Sequence, residues 1–99
     1  MAKVMVVGVK TYSFNNDSNQ KVEGARVSYL TSIPSNKSNE LGFLPLQSTV
    51  SLDVVNSLKE IPAIYDVKYD MVPGRNNKPE MIITGFEFLQ SVDYLGLFE

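Results

Sequence analysis

Apolar side chains in this sequence recur mainly at every second position, the period of a strand rather than of a helix. From Lys3 to Phe14 the chain concentrates Val4, Val6, Val7, Val9, Thr11, Tyr12 and Phe14. These β-branched and aromatic residues suit a pleated surface, and a first strand is expected there. Gly8 interrupts it and marks a bulge or a tight bend. The polar run Asn15-Asn16-Asp17-Ser18-Asn19-Gln20 follows as a loop of turn-forming side chains. Lys21 to Leu30 alternates, with Val22, Gly24, Arg26 and Ser28 on one face and Glu23, Ala25, Val27 and Tyr29 on the other. That pattern predicts a second strand, antiparallel to the first.

Ser32 to Asn39 is polar and broken by Pro34, which makes it a flexible connection. Phe43 to Val50 predicts a third strand, placed at a sheet edge because Pro45 has no N–H to donate to a ladder. The period then changes. Leu52, Val55 and Leu58 recur every third residue, Ser51 is placed to cap the first turn, and Asp53 and Lys59 complement the two ends of a helix dipole. One short helix is expected here, ending by Ile61, since Pro62 disfavours helical geometry in the residue before it. Ile64 to Val72 alternates most cleanly, with Tyr65, Val67, Tyr69 and Met71 facing one way and Asp66, Lys68 and Asp70 the other. Pro73 to Pro79 is a turn loop and Glu80 to Leu89 a fifth strand, so the two strands form a long hairpin. The organisation expected is a domain over residues 1–89 and a tail over residues 90–99.

Five strands with one short helix between the third and fourth is the element order of the OB-fold, a five-stranded Greek-key barrel whose first-to-second and fourth-to-fifth loops commonly hold oligonucleotides. A mainly β, OB-like barrel is therefore the expected fold. The corresponding loops are Asn15–Gln20 and Pro73–Pro79, both polar and flanked or filled by cations.

Composition narrows the chemistry. At 99 residues the chain is a single domain, and it contains no histidine and no cysteine. Zinc sites built on those ligands, iron–sulfur clusters, disulfides, cysteine nucleophiles and a histidine general base are all excluded. Asp66 and Asp70 lie four residues apart on one strand face, roughly 13 Å, too far to share an ion without a partner strand. Phosphate-cradling glycine loops and serine-nucleophile elbows are absent. The expectation is a binding protein with no catalytic residue, cofactor or metal. No apolar run reaches the ~18 residues of a membrane span and no signal-peptide pattern opens the chain, so a soluble, unprocessed protein without a membrane partner is expected. The net charge of −2 hides an asymmetry. All nine basic residues fall within positions 1–78, whereas positions 79–99 hold Glu80, Glu87, Asp93 and Glu99 and no base. A negative total is therefore compatible with a basic surface for a polyanion.

The span Ile61-Pro62-Ala63-Ile64-Tyr65-Asp66-Val67, followed by a loop and then Met81-Ile82-Ile83-Thr84-Gly85-Phe86-Glu87-Phe88-Leu89, resembles the small helix-destabilising, single-stranded-DNA-binding proteins of phages, of the filamentous-phage gene V type. The likeness lies in length, strand order and texture and covers about the last forty residues. It implies a cytoplasmic homodimer in the host cell that coats single-stranded DNA during phage or mobile-element replication. The net acidic chain and the additional tail depart from that family.

Single-strand binding needs cations for phosphates and exposed rings for bases, each stacking contact being worth roughly 1–3 kcal/mol. Tyr12 and Phe14 close the first strand beside the asparagine loop, and Tyr29 lies on the next strand near Arg26. Tyr65 and Tyr69 share an apolar face, where the core has the stronger claim. Lys10, Lys21, Arg26, Arg75 and Lys78 flank the two loops or lie on the first strands and are the phosphate-contact candidates, Arg75 foremost because a guanidinium at a loop tip can fork a phosphate or stack on a base. In the tail, Asp93, Tyr94, Leu95, Leu97 and Phe98 combine acidic and large apolar residues. This resembles the tails through which bacterial single-strand-binding proteins recruit replication proteins; the same side chains could instead pack on the barrel or on a second subunit. The alternative function is a small β-barrel protein–protein interaction module that binds no nucleic acid.

Overall fold

The structure, a computed structural model, describes residues 2–35 and 37–99. Its elements are β1 (Ala2–Asn15), β2 (Lys21–Leu30), β3 (Leu46–Val50), α1 (Leu52–Val55), β4 (Ala63–Pro73) and β5 (Pro79–Ser91), with 3-10 turns at Arg75–Asn77 and Leu95–Phe98. All five strands join one antiparallel sheet in the order β3-β2-β1-β4-β5. The chain is thus mainly β, with a single short α-helix among the described residues. No helix there is long and apolar enough to cross a membrane.

The sheet does not close. β3 and β5 are its two edges, and although Cα atoms of the two strands approach within 8 Å, no ladder joins them. The cause lies partly in β3. It begins only after Pro45, so Phe43 and Leu44, expected to be part of it, stay outside the ladder and leave a strand of 5 residues. The edge position foreseen from Pro45 is the one observed.

The core follows the alternation. Val4 and Val6 on β1, Ala25 and Val27 on β2, Val50 on β3, Ala63, Tyr65 and Val67 on β4, and Phe86 on β5 are buried together, with Val54 of α1 set against them. Tyr65 is fully buried, and its ring meets Phe86 and Phe88 edge-on at centroid distances of 6.0 and 5.8 Å.

The Tyr65 hydroxyl explains why the helix is shorter than its pattern. It accepts hydrogen bonds from the backbone N–H of Lys59 (2.9 Å) and Glu60 (3.0 Å) and donates to the carbonyl of Glu60 (2.6 Å). Ser57 competes as well. Its hydroxyl donates to the Val54 carbonyl and accepts from the Phe86 N–H at 3.0 Å. Ser57 is therefore tied to β5 and Lys59 and Glu60 to β4, and the helix expected to run toward Ile61 ends at Val55.

Three positions on β4 differ from the alternation. Asp66, expected to face solvent, is 1% exposed, and neither carboxylate oxygen has a hydrogen-bond partner among the described residues. Its register partners are Lys3 on β1 and Glu87 on β5, so it lies on the face away from the core but beneath its neighbours. Tyr69 and Met71, expected to be half-buried, are 43% and 63% exposed. β1 pairs with β4 only as far as Val67, and beyond that point the β4–β5 hairpin extends without a third strand beside it. Burial nevertheless holds the Tyr69 phenol above its ordinary value of 10.0, with a smaller contribution from the Tyr29 phenol. β5 runs to Ser91, so Gln90 and Ser91, assigned to the tail by pattern, belong to the ladder.

Candidate functional site

The β1–β2 register sets Lys10 opposite Arg26, Tyr12 opposite Gly24 and Phe14 opposite Val22. Ala25 and Val27 point into the core, so the period of two directs Gly24, Arg26 and their β1 partners to the other face. Two cations directly opposed across a ladder repel each other. The ion pairs among the described residues are Lys21 to Glu23 at 2.9 Å and Lys68 to Glu87 at 3.2 Å. Neither Lys10 nor Arg26 has a carboxylate partner there.

Beside the two cations lie two rings. Phe14 is 54% exposed and Tyr12 half-buried, with centroids 6.1 Å apart and planes inclined by 31°. The Tyr12 ring crosses its partner strand over Gly24, where any side chain would collide with it. The turn beyond Phe14 is held by Asn16, whose Oδ1 accepts from the N–H of Ser18 (3.0 Å) and of Gln20 (2.9 Å). Asn19 supplies the positive φ of 59° that the turn needs, a conformation asparagine tolerates well.

Two concavities meet at these residues. One, of about 440 Å³, is lined by Lys10, Tyr12, Phe14, Val22 and Arg26. The other, of about 410 Å³, is lined by Gly8, Val9, Lys10, Arg26, Ser28 and Gln47. Because both include Lys10 and Arg26, they form one trough across β1, β2 and β3. Gly8 leaves its end open, since nothing lies within 4 Å of where a β-carbon would stand. The ladder slips between Val6 and Gly8, the bulge anticipated at that glycine. At the same end the Gln47 amide donates to the Ser28 hydroxyl at 3.3 Å. Val22, Ser28, Gln47 and Gly8 were not among the candidate residues, although the alternation of β2 already set Val22 and Ser28 on the face of Arg26.

The other candidates lie elsewhere. Tyr29 is on the core side of β2, packs against the buried cluster and hydrogen-bonds Ser48 Oγ at 2.7 Å, so it is not beside Arg26 on the outer face. Lys21 is paired with Glu23 at the mouth of the turn. Arg75 and Lys78 occupy the β4–β5 turn, which is closed by Gly74 N–H to the Lys78 carbonyl at 2.7 Å. That turn and the Asn16–Gln20 turn leave the sheet at opposite ends of β1: β4 meets β1 at Ala2, whereas β2 meets it at Asn15. The ladder therefore does not set Arg75 and Lys78 alongside Lys10 and Arg26. Tyr94, Leu95, Leu97 and Phe98 are all exposed, and Asp93 Oδ1 accepts the N–H of Gly96 at 3.0 Å. Among the described residues no group of three or more acidic side chains is placed to hold a metal ion.

Comparison of the chain with known protein families, with curated proteins and with solved structures returns no match.

Proposed function

We propose that this protein binds single-stranded DNA without sequence preference along the trough formed by Lys10, Tyr12, Phe14, Val22 and Arg26. The observation that carries the reading is the direct opposition of Lys10 and Arg26, with no carboxylate partner among the described residues, beside two accessible rings. A phosphate between the two cations turns a repulsive pair into an attractive triad. Tyr12 and Phe14 supply faces on which unpaired bases stack, a contact indifferent to base identity and closed to a duplex whose bases already stack on each other. The strand order supports the same reading: it is that of an OB-fold opened between β3 and β5, an architecture that uses its β2–β3 face for oligonucleotides, and Arg26, Ser28 and Gln47 lie on that face here. The role that fits is coating of single strands during phage or mobile-element replication, with the protein acting as a small oligomer.

Fluorescence anisotropy with labelled oligo-dT and with the matching duplex, each at low and moderate salt, tests the proposal. Binding of the single strand alone is expected, weakening as salt rises, and the K10E/R26E double variant should remove it. No binding of oligo-dT at low salt overturns the reading. The alternative, a protein-interaction module, has one observation in its favour: the exposed apolar turn Leu95–Phe98.

A further inference from the structure

Two apolar surfaces on this chain lack a partner, and their chemistry matches. The first is the 3-10 turn Leu95–Phe98, in which Leu95, Leu97 and Phe98 are 73%, 78% and 73% exposed. The turn has a defined shape. Leu97 N–H reaches the Tyr94 carbonyl at 3.2 Å, Asp93 caps Gly96, and the Tyr94 and Phe98 rings pack edge-on at 5.1 Å. The second is a cavity of about 370 Å³ on the outer face of the sheet, where Met5 meets its register partners Leu30 and Ile64 beneath Phe43 of the β2–β3 connection. No residue of the 90–99 segment lines it.

We propose that the Leu95–Phe98 turn of one copy seats in the Met5, Leu30, Phe43 and Ile64 cavity of a second copy, head to tail. Size permits it, since an apolar cavity of about 150 Å³ already holds a benzene molecule, and this one has room for the Phe98 ring with a leucine beside it. Charge favours it. The turn is flanked by Asp93 and Glu99 with no base after Lys78, while the cavity carries Lys3 at its rim. Lys3 has no ion-pair partner among the described residues. Turn and cavity are different surfaces of the same molecule, so the contact is heterologous: each copy gives one turn and receives one, and copies line up in a row or ring. A turn this small buries well under the ~1,200 Å² of a standard interface, so the association is weak and concentration-dependent.

The test needs no nucleic acid and so stands apart from the proposed DNA binding. Sedimentation velocity of the full chain over a wide range of concentration should show a mass that climbs past the monomer. The L97D/F98D variant, which keeps the cavity, and the F43D variant, which keeps the turn, should each stay monomeric, with circular dichroism confirming that both are folded. Mixing the two leaves one intact turn and one intact cavity, and an equimolar mixture should form a one-to-one heterodimer. Lys3→Glu should weaken assembly of the otherwise unchanged chain by about two- to fivefold, the range of an exposed ion pair. A full chain that is monomeric throughout overturns the proposal and leaves the turn to a different protein or to its own cavity. So does assembly that survives both variants, or a mixture that fails to pair.

Discussion

The ring of Tyr12 lies across Gly24, its register partner on β2, so closely that a β-carbon at Gly24 would stand 2.5 Å from the phenol oxygen. The glycine therefore acts as a seat for the ring, and the ring's orientation along the trough depends on that seat staying empty.

Gly24→Ala should displace Tyr12 while leaving the backbone intact, because the obstacle is the far end of a side chain that can swing outward. If Tyr12 is a stacking platform, oligo-dT affinity should fall about fivefold or more, the lower end of the value of one stacked base. Thermal unfolding should shift little by comparison. An affinity equal to that of the parent protein would remove Tyr12 from the binding surface.

Tyr65→Phe keeps the buried ring and its edge contacts with Phe86 and Phe88 but deletes the hydroxyl on which Lys59 and Glu60 depend. Leaving these backbone groups without their partner should cost about 2 kcal/mol, read as a lower urea midpoint with an unchanged slope. The lesion is remote from Lys10 and Arg26 in the ladder, so affinity for single strands should be unaffected.

Asp66 is a cost that the fold carries. A buried carboxylate with no hydrogen bond to either oxygen among the described residues is replaced favourably by an apolar group of similar size. Asp66→Val, a β-branched residue in the middle of a strand, should raise stability by about 1–3 kcal/mol, measured by urea denaturation. A loss of stability would show that the carboxylate is paired in solution.

Alkaline pH should destabilise the protein in part through Tyr69. Its phenol is held above 10.0 in the fold, chiefly by burial and then by the nearby Tyr29. The folded state therefore keeps this proton where the unfolded chain releases it. The stability this contributes is complete below pH 10 and is lost as pH rises through the folded value. Tyr69→Phe should flatten the fall in thermal midpoint above pH 10, and an identical profile in the two proteins would rule the residue out.

Most strands could be read from alternation because each has one face on the core: Tyr65 and Val67 are buried on the apolar face the pattern named, and Ala25 and Val27 are buried together on one of the two faces it separated. The helix was less legible. Leu52, Val55 and Leu58 carry a helical period, but the bonds that end the helix at Val55 come from Tyr65 and Phe86, which are distant in sequence. Asp66 illustrates a related limit: the period of two gave its face correctly, yet whether that face is covered depends on neighbours from other strands. The candidate site was half legible. Lys10, Tyr12, Phe14 and Arg26 stood out by residue type, whereas Ser28 and Gln47 join them only through the β1–β2 and β2–β3 registers. Arg75 and Lys78 were grouped with them because both hairpin turns are polar. How far β1 runs beside β4 decides that the two turns diverge, and no local signal encodes that length.

The interrupted borders of the sheet bear on how the protein survives at high concentration. β3 offers a rim of 5 residues, cut off by Pro45 at one end and by α1 at the other. Along β5, the register slips opposite Ile64/Tyr65 and Lys68/Tyr69 leave Leu89 and Thr84 as extra residues, so that rim is broken into short lengths. A flat, unbroken rim of hydrogen-bonding groups recruits strands from other molecules into aggregates, and bulges and prolines are what blunt it. Pairing with another molecule's strand through β3 or β5 is thereby disfavoured, which leaves Gly8–Asn15 of β1, flanked by β2 on one side and by no ladder on the other among the described residues, as the longest open rim through which two copies could join.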